Sequence, residues 1–191
     1  MIGIVAMGGK SSRMGKDKSW INYHGKPQCY MAYELLENFC SKTFLCCNSA
    51  QKNLISKDYK LIEDLPQYAA HGPISALLTA GENFPNDSIF LLGCDYPFIE
   101  KIDLEVLINS RDERHSAYCL FNETIQIPEP LIAIYEPIAV TQAKRNFESK
   151  NYSLRDLLFQ LNSKMIPASS RCISIDTMEA SLNALAVTNK S

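Results

Sequence analysis

Short β-rich apolar runs alternate with segments of helical period, and one run at residues 89–92 is apolar without interruption. That alternation predicts an α/β protein, a three-layer α/β/α sandwich with a mainly parallel, Rossmann-like central sheet. A continuously apolar strand is what a sheet covered by helices on both faces requires. The 191 residues, 46% apolar and 21% charged, suffice for one domain with a substantial core, read here as spanning residues 1–191.

The elements follow in order. Strands are expected at residues 2–7, 42–48, 59–62, 88–93, 117–121 and 172–175, each bounded by Gly, Pro, Asn or Asp. A helix is expected over 27–40, where Ala32, Leu35, Leu36 and Phe39 share one face and Pro27 suits the first turn. The same period predicts helices over 73–84, 103–110, 138–148 and 154–161. Residues 126–130 hold two prolines and read as a loop.

Composition removes several function classes. With 19 Lys+Arg against 21 Asp+Glu the net charge is -2, and neither sign forms a long block, so no nucleic-acid partner is expected. No apolar run approaches the ~20 residues of a membrane span, and no secretory pattern opens the chain. The seven cysteines are odd in number and scattered without a C-x-x-C pair, which suits free thiols in the cytoplasm. The three histidines lack metal-ligand spacing, and no G-x-S-x-G elbow is present. Zinc hydrolysis and nucleophilic serine chemistry have no support. The adjacent Cys46 and Cys47 read as core packing rather than a redox pair.

The first strand runs straight into Gly8-Gly9-Lys10-Ser11-Ser12-Arg13-Met14-Gly15-Lys16-Asp17-Lys18. Glycines bring backbone N–H groups close to phosphate oxygens, Arg13 offers a planar fork and Lys18 a compact charge. The loop suits a polyphosphate; a basic surface loop with turn glycines is the plainer alternative. The spacing matches neither a P-loop nor a G-x-G-x-x-G fingerprint.

The run from Ala6 to Lys18 closely resembles the L-A-G-G-x-S-x-R-M-G-x-D-K signature of the molybdenum cofactor guanylyltransferases, within the wider nucleotidyltransferases. The resemblance implies a nucleotidyltransferase domain whose loop, with Ala6, Met7, Gly8, Gly9 and Gly15, wraps a nucleoside triphosphate. It also implies that Arg13 and Lys18 contact the phosphates. The Gly8-Gly9 pair resembles GTP-using relatives more than cytidylyltransferases.

The buried run at 88–93 ends in Cys94-Asp95-Tyr96-Pro97-Phe98. Mg²⁺ takes hard oxygens, commonly one or two carboxylates plus substrate phosphates, and Asp95 at a strand end fits that need. A turn or capping role is the alternative for Asp95. C-D-x-P-F resembles the family's metal-binding segment, which implies Asp95 as the Mg²⁺ ligand and as a catalytic residue with Arg13 and Lys18.

Leu61-Ile62-Glu63-Asp64 and His71-Gly72-Pro73-Ile74-Ser75-Ala76 resemble the family's strand-ending Asp and its G-P-L-x-G helix start, with Ala76 replacing the second glycine. The resemblance implies that Asp64 meets the guanine or ribose and that Gly72 lets the backbone approach the nucleotide. A carboxylate accepts from guanine N1–H and its 2-amino group, a donor pair adenine lacks. Asp64 as a helix cap or turn residue is the alternative. Asn48, ending another predicted strand, either contacts the base or serves the local backbone.

Leu131-Ile132-Ala133-Ile134-Tyr135 and Ser153-Leu154-Arg155-Asp156-Leu157-Leu158 resemble the family's P-L-x-x-x-Y strand and S-L-R-x-L-L helix start. Arg155 then anchors an anionic pterin phosphate or dithiolene, or is solvated on a turn capped by Ser153. Where relatives carry N-x-N-T-P-E, this chain has Ser174-Ile175-Asp176-Thr177-Met178-Glu179. Asp176 is read as acceptor-binding, with a second Mg²⁺ ligand or a helix cap as further roles.

The activity implied is GMP transfer from GTP to a phosphate of a molybdopterin-type acceptor, with transient contact to proteins that deliver or receive the cofactor. Another phosphate acceptor, such as a cobinamide or sugar phosphate, is the rival kept open by residues 174–178. A non-catalytic nucleotide-binding domain is the second.

Overall fold

The computed structural model describes residues 1–7, 17–172 and 174–175. Its most apolar strands, β1 (Ile2–Ala6) and β4 (Ile89–Gly93), are buried at every residue and lie side by side, Ala6 opposite Gly93. Alternate side chains of a strand point to opposite faces. Ile2, Ile4 and Ala6 therefore join Ile89 and Leu91 in one core, while Val5 and Met7 join Phe90 and Leu92 in the other.

The sheet is seven-stranded, in the order β3-β2-β1-β4-β6-β5-β7. β2 (Lys42–Cys47) and β3 (Leu61–Glu63) extend one side of the central pair. β6 (Ile127–Tyr135), β5 (Ala117–Asn122) and β7 (Ser163–Pro167) extend the other. Among the described strands only β6 runs against its neighbours β4 and β5; the remaining pairings are parallel. The mainly parallel sheet with helices on both faces is the architecture the sequence predicts.

One face is covered by α1 (Gln28–Glu37) through Ala32, Tyr33 and Leu36, and by α4 (Lys101–Asn109) through Leu104 and Leu107. The other is covered by α3 (Pro73–Asn83), α5 (Pro137–Glu148) and α6 (Leu154–Gln160), which contribute Ile74, Leu77, Leu78, Ala139, Ala143, Leu157 and Leu158. A short helix, α2 (Ser49–Lys52), follows β2 at once. Each fully buried Leu or Ile is worth ~1.5–3 kcal/mol of transfer free energy, so this two-sided burial dominates stability.

Two expectations are corrected. The loop expected over residues 126–130 is the beginning of β6, so Pro128 and Pro130 lie in a strand. They are tolerated because β4 pairs only with the later part of β6, Ile132 to Tyr135. The earlier part has β5 on one side, and its register shifts by a bulge at Cys119/Leu120; prolines survive at such unpaired edges and bulges. The strand expected over residues 172–175 is not seen at its described residues 172, 174 and 175. The seventh strand is β7, which the sequence reading did not mark.

β1 to β4 run in one direction, so their carboxyl ends share one rim of the sheet. β5 and β7 run the same way, both being set against or beside strands antiparallel to β6. α6 leads into β7, which puts the first turn of α6 at that rim too. In open α/β sheets ligands bind there.

Candidate nucleotide site

Residues at the ends of β1, β2 and β3 and the first turn of α3 enclose a cavity of about 570 Å³. Ala6, Met7, Asn48, Asp64 and Gly72 line it, as do Cys46, Gln51, Ser75 and Ala76. A groove of about 630 Å³ between α1 and the turn after Asp95 is mostly apolar and contains none of the candidate catalytic or binding residues.

Gly72 precedes α3 with φ +77°, a backbone conformation that penalises any Cβ, and Pro73 takes the first helical position. The helix therefore starts abruptly at the cavity, where Pro73 has no N–H to place and Ser75 N–H donates to Gly72 O at 3.0 Å. Ser75 Oγ accepts from His71 N–H across 3.3 Å and donates to the carbonyl of Tyr68, which holds the approach to this turn.

Asn48 caps α2. Its Oδ1 accepts from the N–H groups of Ala50 and Gln51, both at 3.0 Å, while Gln51 Oε1 accepts from Asn48 N–H at 3.0 Å. This capping box occupies the Asn48 oxygen and leaves the Nδ2 hydrogens to offer a ligand. Gln51 Nε2 donates to Asp17 Oδ2 across 2.5 Å. Asp17 in turn caps the 3-10 turn Lys18–Trp20, accepting from Ser19 N at 3.0 Å and Ser19 Oγ at 2.6 Å. One chain of contacts thus joins the cavity wall to the turn that opens with Lys18.

Asp64 lies just past β3. Its N–H donates to Cys47 O at 2.9 Å, and its Oδ1 accepts from the Cys46 thiol at 3.3 Å. Half-burial in the cavity wall raises its pKa above the ordinary carboxylate value, the Cys46 bond opposing that shift and Glu63 adding to it. Its side chain lines the cavity.

Asp95 follows β4 by two residues and is half-buried in the turn there. Since Ala6 pairs with Gly93, β1 and β4 end side by side, with Met7 following one strand and Asp95 the other. A Cβ on Gly93 would collide with Asp95 Oδ1 and meet Leu131 Cδ1 at 3.0 Å, so this glycine makes the room in which the carboxylate sits. The following turn is braced: Gln28 Nε2 donates to Tyr96 O at 3.3 Å, His24 Nε2 to Pro97 O at 2.7 Å, and Tyr96 OH to Glu129 at 2.8 Å. From the far end of the chain, Ile175 N–H donates to Asp95 O at 2.7 Å.

Arg155 is exposed on the first turn of α6, whose N-cap Ser153 accepts from Asp156 N at 3.1 Å. Tyr152 just before it packs on His71, ring centroids 4.5 Å apart, and His71 adjoins Gly72. Arg155 is therefore on the rim shared with the cavity. Gly8, Gly9, Arg13, Gly15 and Asp176 lie outside the described residues.

The sequence profile of the MobA-like NTP transferase domain matches residues 3–164. The chain belongs to the MobA-like NTP transferase family. Among its relatives, a molybdenum cofactor biosynthesis bifunctional protein of Synechocystis is 34% identical over 144 residues, 73% of this chain and 40% of that protein. The chain thus spans less than half the length of that relative. The molybdenum cofactor guanylyltransferase of Campylobacter jejuni is 26% identical over 156 residues, 82% of this chain and 78% of that enzyme. In fold, the chain is similar to molybdopterin-guanine dinucleotide biosynthesis protein A from Archaeoglobus fulgidus, with TM-score 0.81 at 22% identity over 100% of both chains. It is also similar to CMP:2-keto-3-deoxy-manno-octonic acid synthetase solved with CTP, with TM-score 0.74 at 14% identity, covering 100% of this chain and 98% of that one.

In this NTP transferase, the sequence gives no site role to Cys46, read as core, or to Gln51 and Asp17. For Gln51 a local signal exists, since Asn48-x-x-Gln51 has capping-box spacing. Asp17 stands at the fixed acidic position of the loop signature, whereas Cys46 carries no signal; their partners Gln51 and Asp64 are 34 and 18 residues away. Chemically, the rim offers a carboxylate on the cavity wall, helix N–H groups at its mouth, and a second carboxylate at the neighbouring strand end.

Proposed function

We propose that this transferase is a guanylyltransferase that moves GMP from GTP to a phosphate of the molybdenum-pterin cofactor and releases pyrophosphate. The observation that carries the reading is the single cavity that gathers Ala6, Met7, Asn48, Asp64 and Gly72, with Asp95 one strand away. We read residues 1–191 as one such domain, since the sheet takes strands from Ile2 through Pro167. Seven free cysteines suit the cytoplasm.

In this reading Asp64 accepts from guanine N1–H and the 2-amino group, and Asn48 Nδ2 donates to the base. The N–H groups at the start of α3 and the positive φ of Gly72 let the nucleotide approach closely. Arg13, Lys18 and the N–H groups of the loop from Gly8 to Gly15 hold the β- and γ-phosphates and stabilise the pyrophosphate as it departs. Arg155, with Asp176 following Ile175, positions the acceptor.

An ionised phosphate oxygen of the acceptor forms a bond to the α-phosphorus of GTP. The bond from that phosphorus to the bridging oxygen breaks, and pyrophosphate leaves with the electron pair. The attacking oxygen is already ionised near neutral pH, so no general base is required, and the chain's task is in-line positioning and charge stabilisation.

Asp95 fits a magnesium ion: it is a hard-oxygen donor at a strand end, in space that Gly93 keeps open. Among the described residues no group of three or more His, Cys, Asp or Glu is placed to hold a metal ion. When bound, Mg²⁺ supplies Lewis-acid polarisation of the phosphate oxygens.

Thermal shifts with GTP, CTP and ATP in the presence of Mg²⁺ test the base assignment, because selective binding raises apparent stability by mass action. GTP is expected to give the largest shift. Pyrophosphate release is expected only when the molybdenum-pterin acceptor is added; release with a sugar or cobinamide phosphate and none with the pterin overturns the acceptor assignment.

A further inference from the structure

We propose that Cys46 is a positioning residue for nucleotide selection, its thiol holding the Asp64 carboxylate in the orientation that reads the base edge. The inference rests on the guanine reading above and adds a residue to it.

β2 and β3 are parallel, with Cys46 opposite Ile62, and both side chains enter the same core. Asp64 is two residues beyond Ile62, so the alternation of the strand carries it to the same side, above Cys46. The cysteine is only 4% exposed, lines the cavity with Asp64, and sends its thiol to Asp64 Oδ1 at 3.3 Å. Burial, reinforced by the charge of Asp64, pushes the Cys46 pKa well above its ordinary value. The sulfur therefore keeps its proton and acts as a donor, not as a nucleophile.

A carboxylate bound to guanine must place two oxygens in the plane of two N–H groups, and rotation about its Cβ–Cγ bond spoils that match. Asp64 Oδ1 accepts from the Cys46 thiol, which limits that rotation. An aliphatic residue of similar volume would preserve the packing and lose the orientation. The adjacent Cys47 does not substitute, since its thiol goes to Ile62 O at 3.7 Å and its side chain belongs to the opposite core.

The test compares kcat/KM for GTP and ITP, whose bases differ by the 2-amino group, in the wild type and in C46V, C46S and D64N. Loss of one modest hydrogen bond corresponds to roughly a fivefold change. C46V is expected to reduce the GTP-over-ITP ratio by about that factor, and C46S, which keeps a donor, to retain most of it. A C46V ratio equal to wild type overturns the proposal while D64N still loses the preference. Equal losses in C46S and C46V overturn it as well, by assigning the effect to packing. If D64N keeps the wild-type ratio, the guanine reading itself fails and this inference falls with it.

Discussion

Ile175 donates its backbone N–H to the carbonyl oxygen of Asp95 across 2.7 Å. The segment that makes this contact is fastened upstream by Arg171, whose Nε and Nη2 donate to the two oxygens of Asp103 at 3.0 and 2.8 Å, and by Ser169 Oγ at 2.7 Å. Asp103 also accepts from Glu100 N–H at the start of α4, at 2.9 Å. A buried carboxylate on one helix thus holds the chain that touches the strand-end carboxylate.

That arrangement predicts an acid-sensitive brace. Burial acts to raise the Asp103 pKa, but the Arg171, Ser169 and Glu100 hydrogen bonds outweigh it and leave it lowered. A depressed carboxylate contributes stability above its unfolded pKa, roughly 3.9, and that contribution disappears as pH falls through the folded value. Asp103→Asn is expected to be about 1 kcal/mol less stable than wild type at pH 7. The difference should close at lower pH; melting curves of both proteins at neutral and acid pH check it, and a pH-independent gap would contradict the assignment.

Gly93→Ala should damage both stability and turnover. The new methyl group would press on Asp95 Oδ1 and on Leu131, a small-to-large change in a packed site that costs about 1–3 kcal/mol. Denaturant unfolding and initial rates measure the two effects separately. Asp95→Asn and Lys18→Ala, in contrast, should lose turnover by ~100-fold or more with little change in unfolding midpoint, as expected for removal of charge stabilisation. Undiminished GMP transfer by either would falsify the roles assigned to them.

Nucleotide affinity should depend on pH through Asp64. Its pKa is raised, by burial first, so the carboxylate protonates at higher pH than an ordinary Asp. On the proposed function the ionised form accepts from guanine, so GTP affinity should fall as pH drops toward that raised value. The free protein does not lose stability from Asp64 over the same range, because protonation relieves a buried charge. Isothermal titration of GTP across pH 4.5–8, a window of about the ordinary carboxylate value upward, is expected to show this limb in wild type and not in Asp64→Asn.

On the proposed function Arg155 serves the acceptor and not GTP. Arg155→Ala should raise KM for the acceptor about tenfold, the scale of a lost charge-assisted contact, and leave GTP affinity within roughly twofold. Steady-state kinetics with each substrate varied in turn provides the check, and an equal rise in both KM values would remove Arg155 from the acceptor side.

Much of this protein is local in origin and therefore readable along the chain. The alternating faces of Ile2 to Ala6 and the uninterrupted burial of Ile89 to Gly93 follow from side-chain type alone, and they establish a sheet covered on both sides. The strand-ending positions of Asp64 and Asp95 are likewise legible, because each follows an apolar run. Tertiary structure decided the rest. Pro128 and Pro130 look like loop residues until β4 proves to pair only with the later part of β6. The Cys46 thiol reads as core until a neighbouring strand sets Asp64 above it, and nothing near Arg171 in the sequence marks its partner Asp103, 68 residues earlier. Periodicity records which face of an element is dry; hydrogen bonds between distant side chains depend on strand order and register, which no local pattern encodes.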